Sequence, residues 1–152
     1  MQARMELNAA PAVYQAMSGL EAQVRKSRLE PSLLHLVKMR ASQINGCAYC
    51  LDMHTKDARA HGETEQRLYG LSAWRETPYY SDRERAALEG TEHLTLIADK
   101  GVPDELFARM KEHFSEAEIV HLALAVAQIN AWNRLVLTAR PVAGTYQPPK
   151  KH

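Results

Sequence analysis

Cys47 and Cys50 are the only two cysteines of the chain. They lie in Cys47-Ala48-Tyr49-Cys50-Leu51-Asp52-Met53-His54, where a histidine follows the second cysteine by four positions. A C-x-x-C pair can close a small disulfide, and its thiols often ionise below the usual range. On a helix, positions i and i+4 share a face, which puts His54 one turn from Cys50. A thiol, a second thiol to resolve it and a nearby base together form a minimal redox site. Asn45-Gly46 stands directly before the motif and can turn the chain so that Cys47 lands at a helix N-terminus. Unpaired N–H groups and the positive end of the macrodipole stabilise a thiolate there. The helix end therefore favours Cys47 as the nucleophile, whereas the neighbouring base favours Cys50.

Two other readings of the motif exist. Zinc could take Cys47, Cys50 and His54, but a structural site needs four donors. His61 or His35 would have to complete it, since no second C-x-x-C or H-x-x-x-H occurs. Alternatively, the cysteines are two core residues with no chemistry. Redox activity is the favoured reading, and it calls for no bound cofactor and no metal.

The elements that must position these residues are read as all-α. Val13, Met17, Leu20 and Val24 recur at helical spacing from Pro11 to about Arg28. Pro31 opens a second helix, with Leu34, Val37, Ala41 and Ile44 on one stripe and Asn45-Gly46 as its end. A third runs from the cysteine motif to His61, with Gly62 as the stop. Thr64 to Leu71 reads as a short helix and Trp74 to Tyr80 as a loop. Ser81-Asp82-Arg83-Glu84 fits a capping box opening a helix to about Asp99, with Gly101 beyond it. Pro103 opens a short helix ending near His113. Ser115-Glu116-Ala117-Glu118 is a second capping box, opening a long helix to about Ala139. From Ile119 to Ile129 that helix has almost no polar face. Such a helix is buried on every side, which predicts that part of it meets another subunit. Residues 141–152 read as an extended, loosely held tail.

The chain has 152 residues, 45% of them hydrophobic and 24% charged, with a net charge of +1. One domain spanning 1–152 is the expectation, with enough length to bury a core. Scattered charge of this kind leaves no electrostatic footprint for nucleic acid or for an acidic membrane surface. Met1 to Ala10 does not read as a signal peptide, and Ile119 to Ile129 is too short to span a bilayer. A cytoplasmic location follows as the expectation. In that reducing compartment a cysteine pair cycles more often than it staples.

Ala41 to His54, with its N-G-C-A-Y-C-L-D-M-H core, resembles the signature of the alkylhydroperoxidase D-like (AhpD-like) branch of the carboxymuconolactone decarboxylase superfamily. The resemblance continues through Tyr79 to Leu88 and Glu92 to Thr95, and returns at Ile129-Asn130-Ala131-Trp132-Asn133-Arg134. It implies an all-α domain assembling as homo-trimers or homo-hexamers. It also implies reduction of hydroperoxides, or of a partner's disulfide, through the cysteine pair. Carried to matching positions, Cys50 is the peroxide-attacking thiolate, activated by His54 directly or through water, and Cys47 resolves the sulfenic acid. A dithiol such as dihydrolipoamide, or a thioredoxin-like donor, resets the pair.

One position departs from the pattern. The family's glutamate twelve residues before the first cysteine is here His35. Histidine can also pass a proton near neutral pH, but a second imidazole does not raise the basicity of His54 as a carboxylate does. Glu92 is the leading substitute for that carboxylate, with His35 itself the other relay candidate. Two alternatives to the peroxidase reading are a lactone decarboxylase, against which the cysteines argue, and a non-enzymatic oligomer responding to redox state. Trp132, Asn133 and Arg134 are assigned to packing and a buried polar contact. Tyr49 lines the thiol pocket or packs, Asp52 faces solvent, and Tyr79-Tyr80 cap a loop against the core. His93, His113 and His121 receive no function.

Overall fold

The two capping boxes and the two prolines mark helix starts in the structure as they do in the sequence. In this computed structural model, which describes residues 1–149, Pro11 and Pro31 occupy the first turns of α1 (Pro11–Arg25) and α2 (Pro31–Asn45). The Ser81 and Ser115 hydroxyls accept the N–H groups of Glu84 and Glu118, whose carboxylates accept the serine N–H groups at 2.8 Å. Between these starts lie α3 (Ala48–Ala60), α4 (Glu65–Gly70), a 3-10 helix (Leu71–Glu76), α5 (Asp82–Thr95), α6 (Ile97–Lys100) and α7 (Asp104–His113); α8 (Glu116–Ala139) follows. No strand occurs among the described residues, so the all-α reading holds.

Three boundaries differ from the expectation. The first helix stops at Arg25 because Leu29 must enter the core and Glu30, before a proline, is extended at ψ 135. Trp74 lies in the 3-10 helix, since its side chain is buried there, and the loop begins only after Glu76. The Ser81 helix breaks at Leu96 (φ −101, ψ 39), three residues short of Asp99. The ring of His93 bonds the Gly101 carbonyl at 3.0 Å, tying the following turn back against the end of α5.

α2 is the central element. One side of it places Leu33, Leu34 and Val37 against Ala86 and Ala87 of α5, Leu106 and Met110 of α7, and Leu122 and Val126 of α8. Its other side places Leu36 and Met39 against Ala58, Leu68, Leu71, Trp74 and Leu88. A helix buried on both sides is a rigid platform, and the cysteine motif hangs from its C-terminal end.

One packing expectation needs correction. Of the α1 stripe, Met17 and Val24 are buried while Val13 and Leu20 are exposed, because α1 packs on α8 at the rim of the bundle. Within one chain α8 is not covered all round: Leu122, Val126 and Ile129 point inward, but Val120 is 67% exposed and Ala127 also faces out.

The C-terminal segment is extended but is not loosely held over the part described. Gly144 N–H donates to Asp52 Oδ2 at 3.0 Å, and the Tyr146 hydroxyl donates to Asp57 Oδ1 at 2.7 Å. Lys56 Nζ bonds the carbonyls of Gly144 and Tyr146 at 3.2 and 2.9 Å. The segment thus lies along α3. The remainder of the expected tail, 150–152, falls outside the described residues.

Candidate functional site

Gly46 adopts φ 69, a left-handed conformation that glycine takes without steric cost, and this reverses the chain between α2 and α3. Cys47 N–H then donates to the Ser42 carbonyl at 3.0 Å, and Cys47 becomes the N-cap residue of α3. Cys50 follows in the first turn. The two are disulfide-linked with Cα atoms 5.4 Å apart, and both are buried. A buried polar network fixes the turn to α8. Asn45 Nδ2 donates to Asn130 Oδ1 at 3.0 Å and to Asn133 Oδ1 at 2.9 Å, and Asn133 Nδ2 donates to Ser42 Oγ at 3.1 Å. Asn133 is fully buried, so these bonds cannot be exchanged for water and the position of the motif is well determined.

Beneath the motif lies a cavity of about 600 Å³ walled by α1, α2, α3, α8 and the C-terminal segment. Cys50 lines it and Cys47 does not. Leu34, Ile129, Trp132 and Val136 make much of the wall apolar, and Trp132 is braced edge-on by Tyr14 at 5.7 Å. A second hollow of about 560 Å³, along Glu6, Pro11, Tyr14 and Ser18, has no thiol, imidazole or cation in its lining. The thiol, the imidazoles and the buried cation therefore cluster at the first cavity.

His54 reaches that cavity from α3, one turn beyond Cys50, and is 6% exposed. Burial first, and then the charges of Lys38 and His35, push its pKa down from 6.5 to about 3. It is consequently neutral at pH 7, and its Nε2 has no partner among the described residues. His35 also lines the cavity, stacks at 4.9 Å on His61, and has an unpartnered buried Nδ1. Burial and the charge of His61 lower its pKa as well, against the opposing pull of Asp57. His61 Nδ1 bonds the Asp57 carbonyl at 2.8 Å near the cavity mouth.

The four candidates thus assemble as one group, with Cys47 behind the disulfide and Cys50, His54 and His35 on the cavity. Glu92 does not join them. It is buried elsewhere, where Trp74 Nε1 donates to it at 2.8 Å and Arg40 and Arg75 approach at 2.9 and 2.6 Å. Despite burial, these donors and cations hold its carboxyl below the usual range. Its role is to tie α5 to α2 and the 3-10 helix.

Tyr49 and Trp132 prove to be cavity residues, Asn133 is the buried polar contact, and Arg134 is exposed. Asp52 is partly buried under Gly144 rather than facing solvent. Tyr80 is buried with its hydroxyl on the Arg67 carbonyl, as a loop cap requires. Among the described residues no three His, Cys, Asp or Glu side chains converge to hold a metal.

Sequence reasoning missed Lys38 and Glu21. Lys38 is 6% exposed, and its Nζ donates to Glu21 Oε1 at 2.6 Å. Gln128 Nε2 donates to the other oxygen of Glu21, while Arg25 lies 3.8 Å from that carboxylate. A signal existed: Lys38 interrupts Leu36-Val37-Lys38-Met39 on a helix buried on both sides. A lysine there needs a buried partner.

Comparison with known proteins sets this geometry in context. The model of the carboxymuconolactone decarboxylase family matches residues 11–93. The uncharacterized protein YdfG of Bacillus subtilis (strain 168) is 51% identical over 126 residues, 83% of this chain and 86% of YdfG. A crystal structure from Agrobacterium tumefaciens, of a protein of unknown function described as a candidate antioxidant defence protein AhpD, superimposes with a TM-score of 0.89. It is 41% identical and covers 98% of this chain and 100% of its own. The debrominase Bmp8 shares the fold at a TM-score of 0.81 with 18% identity, over 91% of this chain and 75% of that one.

Proposed function

From the premise that the chain belongs to the carboxymuconolactone decarboxylase family, in its alkylhydroperoxidase D-like branch, we propose that it is a thiol-dependent hydroperoxidase working through Cys50 and Cys47. The observation that carries this reading is the asymmetry of the pair. Cys50 faces a partly apolar cavity of about 600 Å³ with His54 beside it, and Cys47 sits behind at the head of α3.

In the reduced protein the Cys50 thiolate attacks one oxygen of a hydroperoxide. The O–O bond breaks and the alkoxide leaves as the alcohol after taking a proton. Cys50 becomes a sulfenic acid. Cys47 attacks its sulfur, releasing water and forming the disulfide that the structure holds. Two electrons from a dithiol or thioredoxin-like donor restore both thiols by exchange at the disulfide. The N-cap position of Cys47 favours its thiolate, which suits a resolving nucleophile as well as a first attacker. His54 and His35 complete the site as neutral imidazoles able to pass a proton. The apolar walls favour an organic hydroperoxide. The exposed Val120 and Ala127 of α8 are the face we assign to assembly as a homo-trimer or homo-hexamer.

The test uses two single variants, reduced and treated with one equivalent of peroxide in the presence of a sulfenic-acid trap. Cys47→Ser should be trapped once at Cys50, and Cys50→Ser should give neither trapping nor turnover. Trapping at Cys47 in the Cys50→Ser protein would reverse the assignment. Undiminished peroxide consumption in both would end the thiol reading.

A further inference from the structure

The motif histidine, buried and neutral in the disulfide form, brings no preformed charge to a Cys50 thiolate. With Cys50 1% exposed, an anionic sulfur there must be met by a cation or by donors. His54 beside it is buried and neutral, and the first turn of α3 offers only the partial charge of a helix end.

A full and buried positive charge is nevertheless present in the same wall. Lys38 leaves α2 one turn after His35, and its ammonium is held by Glu21 from α1. Gln128 from α8 holds the far oxygen of that carboxylate. The charged and titratable groups that share this cavity wall with Lys38 are Tyr14, Glu21 and Arg25 of α1, His35 of α2, Tyr49, Cys50, His54 and Asp57 of α3, and His61 at the C-terminal cap of α3. Tyr146 of the C-terminal segment completes the set. Both members of the pair line the cavity with Cys50, His35 and His54. The Glu21 carboxylate is shared among three groups: its Oε1 takes the Lys38 ammonium and lies 3.8 Å from Arg25, and its other oxygen takes Gln128. The charge of Lys38 reaches both imidazoles.

We propose that Lys38, anchored by Glu21 and Gln128, is the positioning charge of this site: in the reduced protein it holds Cys50 as the thiolate and His54 as the neutral imidazole. The inference rests on the reading that Cys50 reacts first. It assigns to the α1–α2 ion pair the activation that the residue at position 35, a histidine here, does not provide.

The experiment measures the rate of Cys50 alkylation by iodoacetamide against pH, by mass spectrometry, in the reduced Cys47→Ser protein. Lys38→Met should raise the midpoint of that profile by about one pH unit, the low end of what loss of a nearby opposite charge does. Lys38→Arg should stay close to the parent, and Glu21→Gln, which leaves Lys38 unopposed, should lower the midpoint. Should Lys38→Met fail to fold because Glu21 is stranded, the Glu21→Gln/Lys38→Met double variant removes both charges and should show the same upward shift. A midpoint unmoved in Lys38→Met, or in the double variant, overturns the proposal. So does a shift in Lys38→Arg as large as in Lys38→Met, which would mark a packing role, or an upward shift in Glu21→Gln. Alkylation does not involve peroxide, so failure of peroxide turnover with these shifts intact would reject the peroxidase reading alone.

Discussion

Acid should destabilise the oxidised protein chiefly through one buried imidazole. In the unfolded chain His54 takes up a proton at its ordinary pKa of 6.5, whereas burial, Lys38 and His35 hold it at about 3 in the fold. Between those values the unfolded state binds a proton that the native state refuses, so stability falls as pH falls. The stabilising contribution is complete above pH 6.5 and decreases by about 1.4 kcal/mol for each unit below it. At pH 5 the loss reaches roughly 2 kcal/mol, a sizeable part of the 5–15 kcal/mol that an ordinary domain possesses. His35, also lowered, adds to the slope in the same direction. The lowered carboxyls of Glu30, Glu92 and Glu118 lose their contributions only as pH falls below their unfolded value of 4.5, so the range from pH 7 to pH 5 isolates the imidazoles. His54→Leu removes the titration and fills the site with an apolar side chain, at little cost because Nε2 has no partner to lose. Urea denaturation with the disulfide intact, at one protein concentration, gives the comparison. Between pH 7 and pH 5 the unsubstituted protein should lose about 2 kcal/mol more than His54→Leu does. Parallel losses in the two proteins would refute the reasoning.

Two further predictions separate structural from chemical roles. Glu92→Gln should cost about 3 kcal/mol, the lower end of the range for breaking a buried pair because Arg75 is half exposed. Urea denaturation reads that loss, and the Cys50 alkylation profile should not move; a displaced profile would return Glu92 to the site. Tyr146→Phe removes the 2.7 Å bond to Asp57, worth about 1 kcal/mol. Faster amide exchange at Gly144, with α8 unchanged, is the expected sign, and unaltered exchange at Gly144 would mean that the segment is held without it.

The parts of the fold legible in the sequence are those governed by local rules. A capping box, a proline at a first turn and a glycine required at φ 69 act within four residues, and each marks an element boundary in the structure. The break of the Ser81 helix at Leu96 was not legible, because nothing local stops Thr95-Leu96-Ile97 from staying helical. The C-terminal segment was misread for a related reason. Its Gly, Thr and Pro content suits an extended chain, but whether that chain is held depends on Asp52, Lys56 and Asp57, about 90 residues away. At the site, Cys50 and His54 announce themselves by spacing on one helix. Glu21, Lys38 and Gln128 come from three different helices, and no period within any one helix points to that meeting.

The missing carboxylate at position 35 takes on a different meaning once Lys38 is included. A glutamate there would sit one turn from Lys38 on α2, where i,i+3 neighbours meet, and would offer the ammonium a second anion inside the cavity. With His35 in its place, Lys38 has Glu21 as its carboxylate partner, and Gln128 and Arg25 share that carboxylate with it. In the role proposed for Lys38, its positive charge then serves the sulfur. The same charge then bears on redox balance as well as on attack. A cation beside Cys50 stabilises the thiolate and has no comparable effect on a neutral disulfide, so it shifts the pair toward the reduced state. A histidine at position 35, which weakens the site if His54 must be a strong base, is consistent with a site whose thiolate is held by lysine.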